Sequence, residues 1–377
     1  METDYSTTMF RPAIAAMAPY IPGEQPKPGQ RLIKLNTNEN PYPPSPRVRR
    51  AIVRAAAGAN LRLYPSPRAD EFVACAARLY RLPPRMILAG NGSDELLAML
   101  FRATLGRGDK VAYPTPTYSL YDTLATIQEA RVISPPFPPD FELPFEQLAR
   151  TSAKLTIVCN PNSPSGTLTP IAMIDALSRR LEPRLLVVDE AYVDFADDNA
   201  LRLAKQRPNV IVLRSLSKSF SLAGMRLGLG LATPPIIETL AKVKDSYNLN
   251  RVALAAGAAA LQDIAWMRRN VERVRGVRTI TERTLVTFGF EVLPSSANFV
   301  MARLPGRDLA SLAAALRQCG ILVRHFASAE LRDSLRISIG TLAEMKALFK
   351  ALHHLIASQA RHSSKSPSER RVRLPRA

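Results

Sequence analysis

The stretch "SLSKSFSLAGMRLGLG" at 215–230 sets one lysine, Lys218, among the hydroxyls of Ser215, Ser217, Ser219 and Ser221, with Arg226 eight residues on. A lysine amine attacks a carbonyl when neighbouring positive charge or loss of water lowers its pKa. Hydroxyls and a guanidinium fork suit a phosphate. Alone, such a stretch is an ordinary loop lysine, but three others bear on it. "DEAYVDF" sends Asp189 out of the apolar run "LLVV", with Tyr192 three residues later. A carboxylate there is costly unless it meets a cation. "NPNSPSG" at 160–166 fixes a loop from which Asn162 can point its amide into a cleft. "GNGSDELL" at 90–97 puts Gly92, Ser93 and Asp94 at a predicted helix start, where backbone N–H groups and the helix dipole favour an anion. The same turn also suits plain N-capping by Ser93.

Together these parts describe one ligand. It has an aldehyde for Lys218, a phosphate for Ser215, Ser217, Arg226 and the 91–94 turn, and a protonated ring nitrogen for Asp189. That ligand is pyridoxal 5′-phosphate, whose general signature is a covalently bonded lysine and an acid at the ring nitrogen. Asn162 and Tyr192 would hold the ring oxygen, and Tyr118 in "PTPTYSLY" would lie on the ring face. Once displaced by a substrate amine, Lys218 becomes a free base able to move a proton between two carbons.

The elements that must position these residues follow from the apolar pattern. "MILAGNGSDELLAMLFRATL" (86–105) reads as strand, turn, helix; "KVAYP" (110–114), "KLTIVCNP" (154–161), "RLLVVDEAY" (184–192) and "NVIVLRSLSK" (209–218) read as short buried strands. Helical stretches at 116–130 and 170–181 lie between them. Continuous apolar strands alternating with helices predict an α/β fold with a mainly parallel central sheet covered on both faces, its ligands at the carboxyl ends of the strands. The expected organisation is an N-terminal arm over 1–45 joining a smaller domain, a large domain over 46–285, a small C-terminal α/β domain over 286–358, and a basic disordered tail over 359–377. A charged amphipathic helix is predicted from about 262 to 285.

With these motifs in hand, the chain resembles the fold-type I pyridoxal-phosphate aminotransferases, and within them the histidinol-phosphate aminotransferases. "APYIPG", "LNTNENPYPPSP", "LYPSPRADE", "GNGSDELL", "PTYSLY", "NPNSPSG", "DEAYVDF", "SLSKSFSLAGMRLG", "NFV" and "LRISIG" fall in the family's order from about 15 to 356. The resemblance implies that Lys218 bonds the cofactor aldehyde, Asp189 partners the ring nitrogen, and Tyr192, Asn162 and Tyr118 surround the ring. It implies that Tyr64 reaches the cofactor phosphate of a neighbouring subunit, hence a homodimer with shared active sites. Arg336 corresponds to the arginine for the anionic end of the amino donor, Arg324 in "GILVRHF" and Tyr20 to residues holding the substrate phosphate, and Asn40 to a further substrate-binding position. The implied substrates are a small-molecule amino donor and a 2-oxo acid: histidinol phosphate with 2-oxoglutarate, in histidine biosynthesis. An aromatic-amino-acid aminotransferase on the same scaffold is the alternative, and a related decarboxylase a weaker one. Departures from the family pattern are a serine in "NPNSPSG" and the basic tail.

Composition excludes several other classes. Three scattered cysteines and four histidines without ligand spacing point away from disulfide scaffolds and metal sites. The longest small-apolar run, "VALAAGAAAL", is far short of the roughly 20 residues of a membrane helix. No basic start leads into an apolar segment, so no signal peptide and a cytoplasmic location are expected. The formal charge of +19 includes a net +5 in residues 361–377. It reads as an arginine-rich solvated surface that draws anionic metabolites, since no aromatic-basic stripe or nucleic-acid module accompanies it. The glycines of "GMRLGLG" lack the G-x-G-x-x-G order of a dinucleotide site.

Overall fold

The computed structural model describes residues 9–19, 22–57 and 61–363. Seven strands form the larger sheet: β2 (Ile87–Gly90), β3 (Lys110–Ala112), β4 (Arg131–Ile133), β5 (Leu155–Cys159), β6 (Leu185–Asp189), β7 (Val210–Ser215) and β8 (Gly228–Ala232), in the order β2-β8-β7-β6-β5-β3-β4. The pairs β4–β3, β3–β5, β5–β6 and β6–β7 are parallel, whereas β8 runs antiparallel to both neighbours, β7 and β2. The sheet is thus mainly parallel, with one opposed strand that the sequence reading did not place.

Burial on both faces explains the uninterrupted apolar runs. Successive residues feed different cores: Leu186, Val188, Val210 and Val212 join one cluster, and Val187, Ile211 and Leu213 the other. This two-residue alternation decides on which face each strand end delivers its polar residue. Helices Ser93–Thr104, Leu120–Ile127 and Pro234–Ala241 cover the second face. Helices Asp70–Tyr80, Ile171–Leu181, Arg251–Leu261 and Ile264–Thr287 pack on the first. The helix from Arg251 to Leu261 starts cleanly because the Asn250 side chain accepts from the Ala253 N–H.

The smaller sheet has the order β1-β11-β12-β10-β9, built from β1 (Ile33–Leu35), β9 (Glu291–Val292), β10 (Phe299–Arg303), β11 (Ile321–His325) and β12 (Ser334–Ser338). β1 comes from the N-terminal arm and pairs in parallel with β11, Ile33 opposite Ile321. The last helix, Leu342–Ser363, runs five residues past the boundary expected at 358. The expected helix at 116–130 is confined to Leu120–Ile127. Residues 364–377, most of the expected tail, lie outside the described residues.

Candidate active site

The carboxyl ends of β5, β6 and β7 bring Asn162, Asp189 and Lys218 to one edge of the larger sheet, with β2 and β8 supplying the 91–94 turn and the strand that follows Arg226. Asp189 is 2% exposed and continues the Val187 face of β6. Its carboxylate accepts from the Tyr121 hydroxyl at 2.7 Å and from the Ala191 N–H at 3.3 Å. Both donors are neutral, so burial dominates and lifts the carboxyl from the ordinary 3.8 to about 6, with Asp94 adding to the rise. A buried acid in this state calls for a cationic partner.

Lys218 is half-buried, and its Nζ donates to the Thr37 carbonyl at 3.1 Å and sits 5.7 Å from the Tyr192 ring centroid. Burial first, then the positive charge of Arg336, lowers the amine from 10.5 to about 8. A substantial neutral fraction near neutral pH is what carbonyl attack requires. Asn40, expected at the substrate, instead commits its amide to this turn, donating to the carbonyls of Lys218 at 3.0 Å and Ser219 at 3.3 Å. It fixes the lysine backbone because its donor reaches main chain rather than open cleft.

The anion cradle is equally specific. Arg226, at φ +51°, directs Nη1 to Ser217 Oγ at 3.2 Å and Nη2 to Asp94 at 2.9 Å. Ser215 Oγ accepts from the Ser217 N–H at 3.2 Å, shaping the same turn. Gly92 has φ +85°, and a Cβ there would stand 2.6 Å from the Arg226 guanidinium. Gly228 on β8 is held closer still, since its Cβ would meet the backbone of Gly92 and Ser93 at 2.5–2.7 Å. Ser93 does not cap the helix as expected. Gly92 occupies the N-cap, and Ser93 is the first helical residue, leaving backbone donors at the helix start for a ligand. Ser219 leaves this group and bonds Asp194 on the far side of the turn.

Asn162, 3% exposed, accepts from Thr117 Oγ1 at 2.8 Å and donates to Ser165 Oγ at 3.0 Å. Tyr118 bonds Asp94 at 3.2 Å and meets the Tyr121 ring edge-on, 5.6 Å between centroids. The Tyr192 hydroxyl accepts from Asn38 at 3.1 Å, and burial raises its pKa against the lowering pull of Arg336. The set fits the expected cofactor: an amine with a lowered pKa, a buried acid wanting a cation, and an arginine with helix-start donors for a phosphate.

From the smaller sheet, Arg336 reaches Ser163 Oγ at 3.1 Å and the Asn36 carbonyl at 3.0 Å, and Arg324 pairs beside it in register. Phe326 lies between their guanidiniums, 5.5 Å from Arg324 and 5.7 Å from Arg336. Tyr64 is 78% exposed and stacked on Tyr247 at 4.5 Å. Tyr20 lies outside the described residues. Sequence reasoning missed Tyr121, Thr37, Asn38 and Thr117. Each falls inside a quoted motif, but only contact reveals its use. Among the described residues no group of three or more metal-ligating side chains forms, and no helix is long and apolar enough to cross a membrane.

Residues 30–352 match the family model described as aminotransferase class I and II. Histidinol-phosphate aminotransferase 1 of Trichormus variabilis is 41% identical over 350 residues, spanning 93% of this chain and 99% of that protein. The histidinol-phosphate aminotransferase of Geobacter sp. is 46% identical over 346 residues, spanning 92% and 98%. The crystal structure of histidinol-phosphate aminotransferase from Sinorhizobium meliloti in complex with pyridoxal-5′-phosphate superposes with a TM-score of 0.85 at 29% identity, covering 93% of this chain and 98% of that one.

Proposed function

The chain belongs to the class I and II aminotransferase family, and from that premise we propose that it exchanges the amino group of histidinol phosphate with 2-oxoglutarate in histidine biosynthesis, using pyridoxal 5′-phosphate. When bound, the cofactor supplies an aldehyde that carries the amino group and a ring that accepts electrons from the substrate carbon. Lys218 would hold the aldehyde through its amine and, as a free base, would move the proton at the substrate carbon. Asp189 supplies the negative charge that keeps the ring nitrogen protonated. Asn162 and Tyr192 hold the ring oxygen, Tyr118 lies against the ring, and Gly92, Ser93, Asp94, Ser215, Ser217 and Arg226 hold the phosphate.

Arg324 and Arg336 carry the substrate argument. The donor ends in a phosphate and the acceptor in carboxylates, and guanidinium forks serve both. Their side-by-side register on β11 and β12 supports one shared anion pocket. Relatives at 41–46% identity bearing the histidinol-phosphate name support the choice of donor. The exposed Tyr64–Tyr247 stack, with Leu61 and Leu63 beside it in sequence and 59% and 53% exposed, supports a homodimer in which Tyr64 enters the partner's site. A cytoplasmic location goes with this biosynthetic role.

The test is a panel of amino donors with 2-oxoglutarate as acceptor. Histidinol phosphate is expected to exceed phenylalanine and tyrosine in kcat/KM by at least a hundredfold. Equal or greater activity on the aromatic amino acids overturns the assignment. Lys218→Ala is expected to lose the borohydride-reducible covalent link to the cofactor, and a variant that kept it would remove Lys218 from its role.

A further inference from the structure

Behind the site, on the opposite face of the sheet, lies a buried chain of charges that the reaction as described does not use. Glu190 Oε2 is 2.8 Å from Arg214 Nε, and Arg214 Nη1 is 3.4 Å from Asp194 Oδ1. The other oxygen of Asp194 accepts from the Ser219 hydroxyl, and Glu190 Oε1 accepts from the Ala200 N–H. The Arg214 guanidinium lies over Tyr80, 5.5 Å from the ring centroid. Side chains of Glu190 and Arg214 are 0% and 7% exposed.

A buried ion pair is poor evidence for stability, because desolvation offsets most of the attraction. Placement in the chain suggests another use. Glu190 follows Asp189, Asp194 is two residues past Tyr192, Arg214 precedes Ser215, and Ser219 follows Lys218. Strand alternation sends the two sets to opposite faces. Asp189 and Ser215 continue the Val187 and Leu213 side, while Glu190 and Arg214 continue the Val188 and Val212 side. The network therefore stands off from ligands in the cleft, yet joins the turns that carry the acid and the amine. Arg214 and Asp194 also line a cavity of about 500 Å3 with Phe220 and Met267, so this wall of the network is not closed by packing. From the cleft side, Asn40 holds the same lysine turn by its carbonyls.

We propose that Ser219, Asp194 and Arg214 are positioning residues that brace the Lys218 turn against the Asp189 strand end and so set the placement of the amine relative to the acid. The inference rests on the cofactor reading above. Wild-type enzyme that bound no pyridoxal phosphate would overturn that reading, whereas wild type working normally alongside an unimpaired variant overturns this one.

The test compares wild type, Ser219→Ala and Ser219→Thr as holoenzymes, with activity expressed per reducible lysine-bound cofactor. The alanine variant is expected to lose about tenfold in kcat, with KM for donor and acceptor within twofold, because Arg324 and Arg336 lie on the other sheet. The pH midpoint of the bound cofactor's absorbance is expected to move by half a unit or more. Threonine keeps the hydroxyl and is expected to restore both readouts. Asp194→Asn, which keeps an acceptor for Ser219 but removes the charge facing Arg214, is the second variant should alanine fail to load cofactor, and is expected to show the same kcat loss. A kcat within threefold of wild type, an unmoved midpoint, or failure of threonine to restore overturns the proposal, whatever happens to the melting temperature.

Discussion

In the cofactor-free protein Asp189 should cost stability at neutral pH, by an amount that can be measured. Its carboxyl titrates at about 6 in the fold against an ordinary 3.8. Between those values the folded chain holds a proton that the unfolded chain has released, so stability falls as pH rises through the window. A displacement of that size corresponds to about 3 kcal/mol once the pH is above both values. Asp189→Asn keeps the shape and an acceptor for Tyr121 but removes the titration. Urea unfolding of cofactor-free wild type and variant, followed by fluorescence of the single tryptophan, Trp266, reads the difference. The variant is expected to gain about 2.5 kcal/mol on wild type between pH 4 and pH 7, the rest of the window lying below pH 4. Tyr121→Phe acts in the other direction. It removes a hydrogen bond to a charged group, worth about 1.5–3 kcal/mol, and extends the loss of stability to higher pH. A difference between wild type and Asp189→Asn that stays flat from pH 4 to pH 7 refutes the reasoning, because the carboxyl would then titrate alike in the folded and unfolded chains.

Three further outcomes are expected. Capture of pyridoxal by Lys218 in the cofactor-free protein, trapped by reduction, should reach half its maximal rate near pH 8, where burial and Arg336 place the amine; a midpoint above pH 10 contradicts that placement. Gly228→Ala should weaken cofactor binding at least tenfold by equilibrium titration, because the new methyl meets the backbone of the 91–94 turn at 2.5–2.7 Å and cannot be relieved by a side-chain rotation. Arg336→Ala should raise KM for glutamate and for phosphate-bearing substrates alike, and a rise for only one of them dissolves the shared pocket.

The strand ends carrying Asn162, Asp189 and Lys218 were legible because buried parallel strands are written as unbroken apolar runs, and a polar residue ending such a run stands out. β8 was not legible. "GLGLA" offers alternate glycines in place of the usual branched residues; the close approach to the 91–94 turn explains Gly228, while Gly230 faces the side chains of Ile211, Leu96 and Leu213. Tyr121 was hidden because one tyrosine in "PTYSLY" looks like another until one hydroxyl is found buried against Asp189. The bonds of Asn40 to the lysine turn were hidden for a related reason, since motif position does not tell whether an amide faces ligand or main chain. Ser219 shares the serine spacing of its neighbours, but its direction depends on the turn. Arg324 and Arg336 were singled out only through resemblance, as their convergence requires the pairing of β11 with β12.

The N-terminal arm links the two sheets at a sensitive place. β1 is hydrogen-bonded into the smaller sheet, yet the residues just after it, Thr37, Asn38 and Asn40, hold the amine, the Tyr192 hydroxyl and the lysine carbonyl. Swivelling of the sheet that bears Arg324 and Arg336 would therefore tug on the reactive nitrogen through a few covalent bonds of main chain. The shortest such route is main chain alone, from the β1–β11 ladder to the Thr37 carbonyl that accepts from the Lys218 amine.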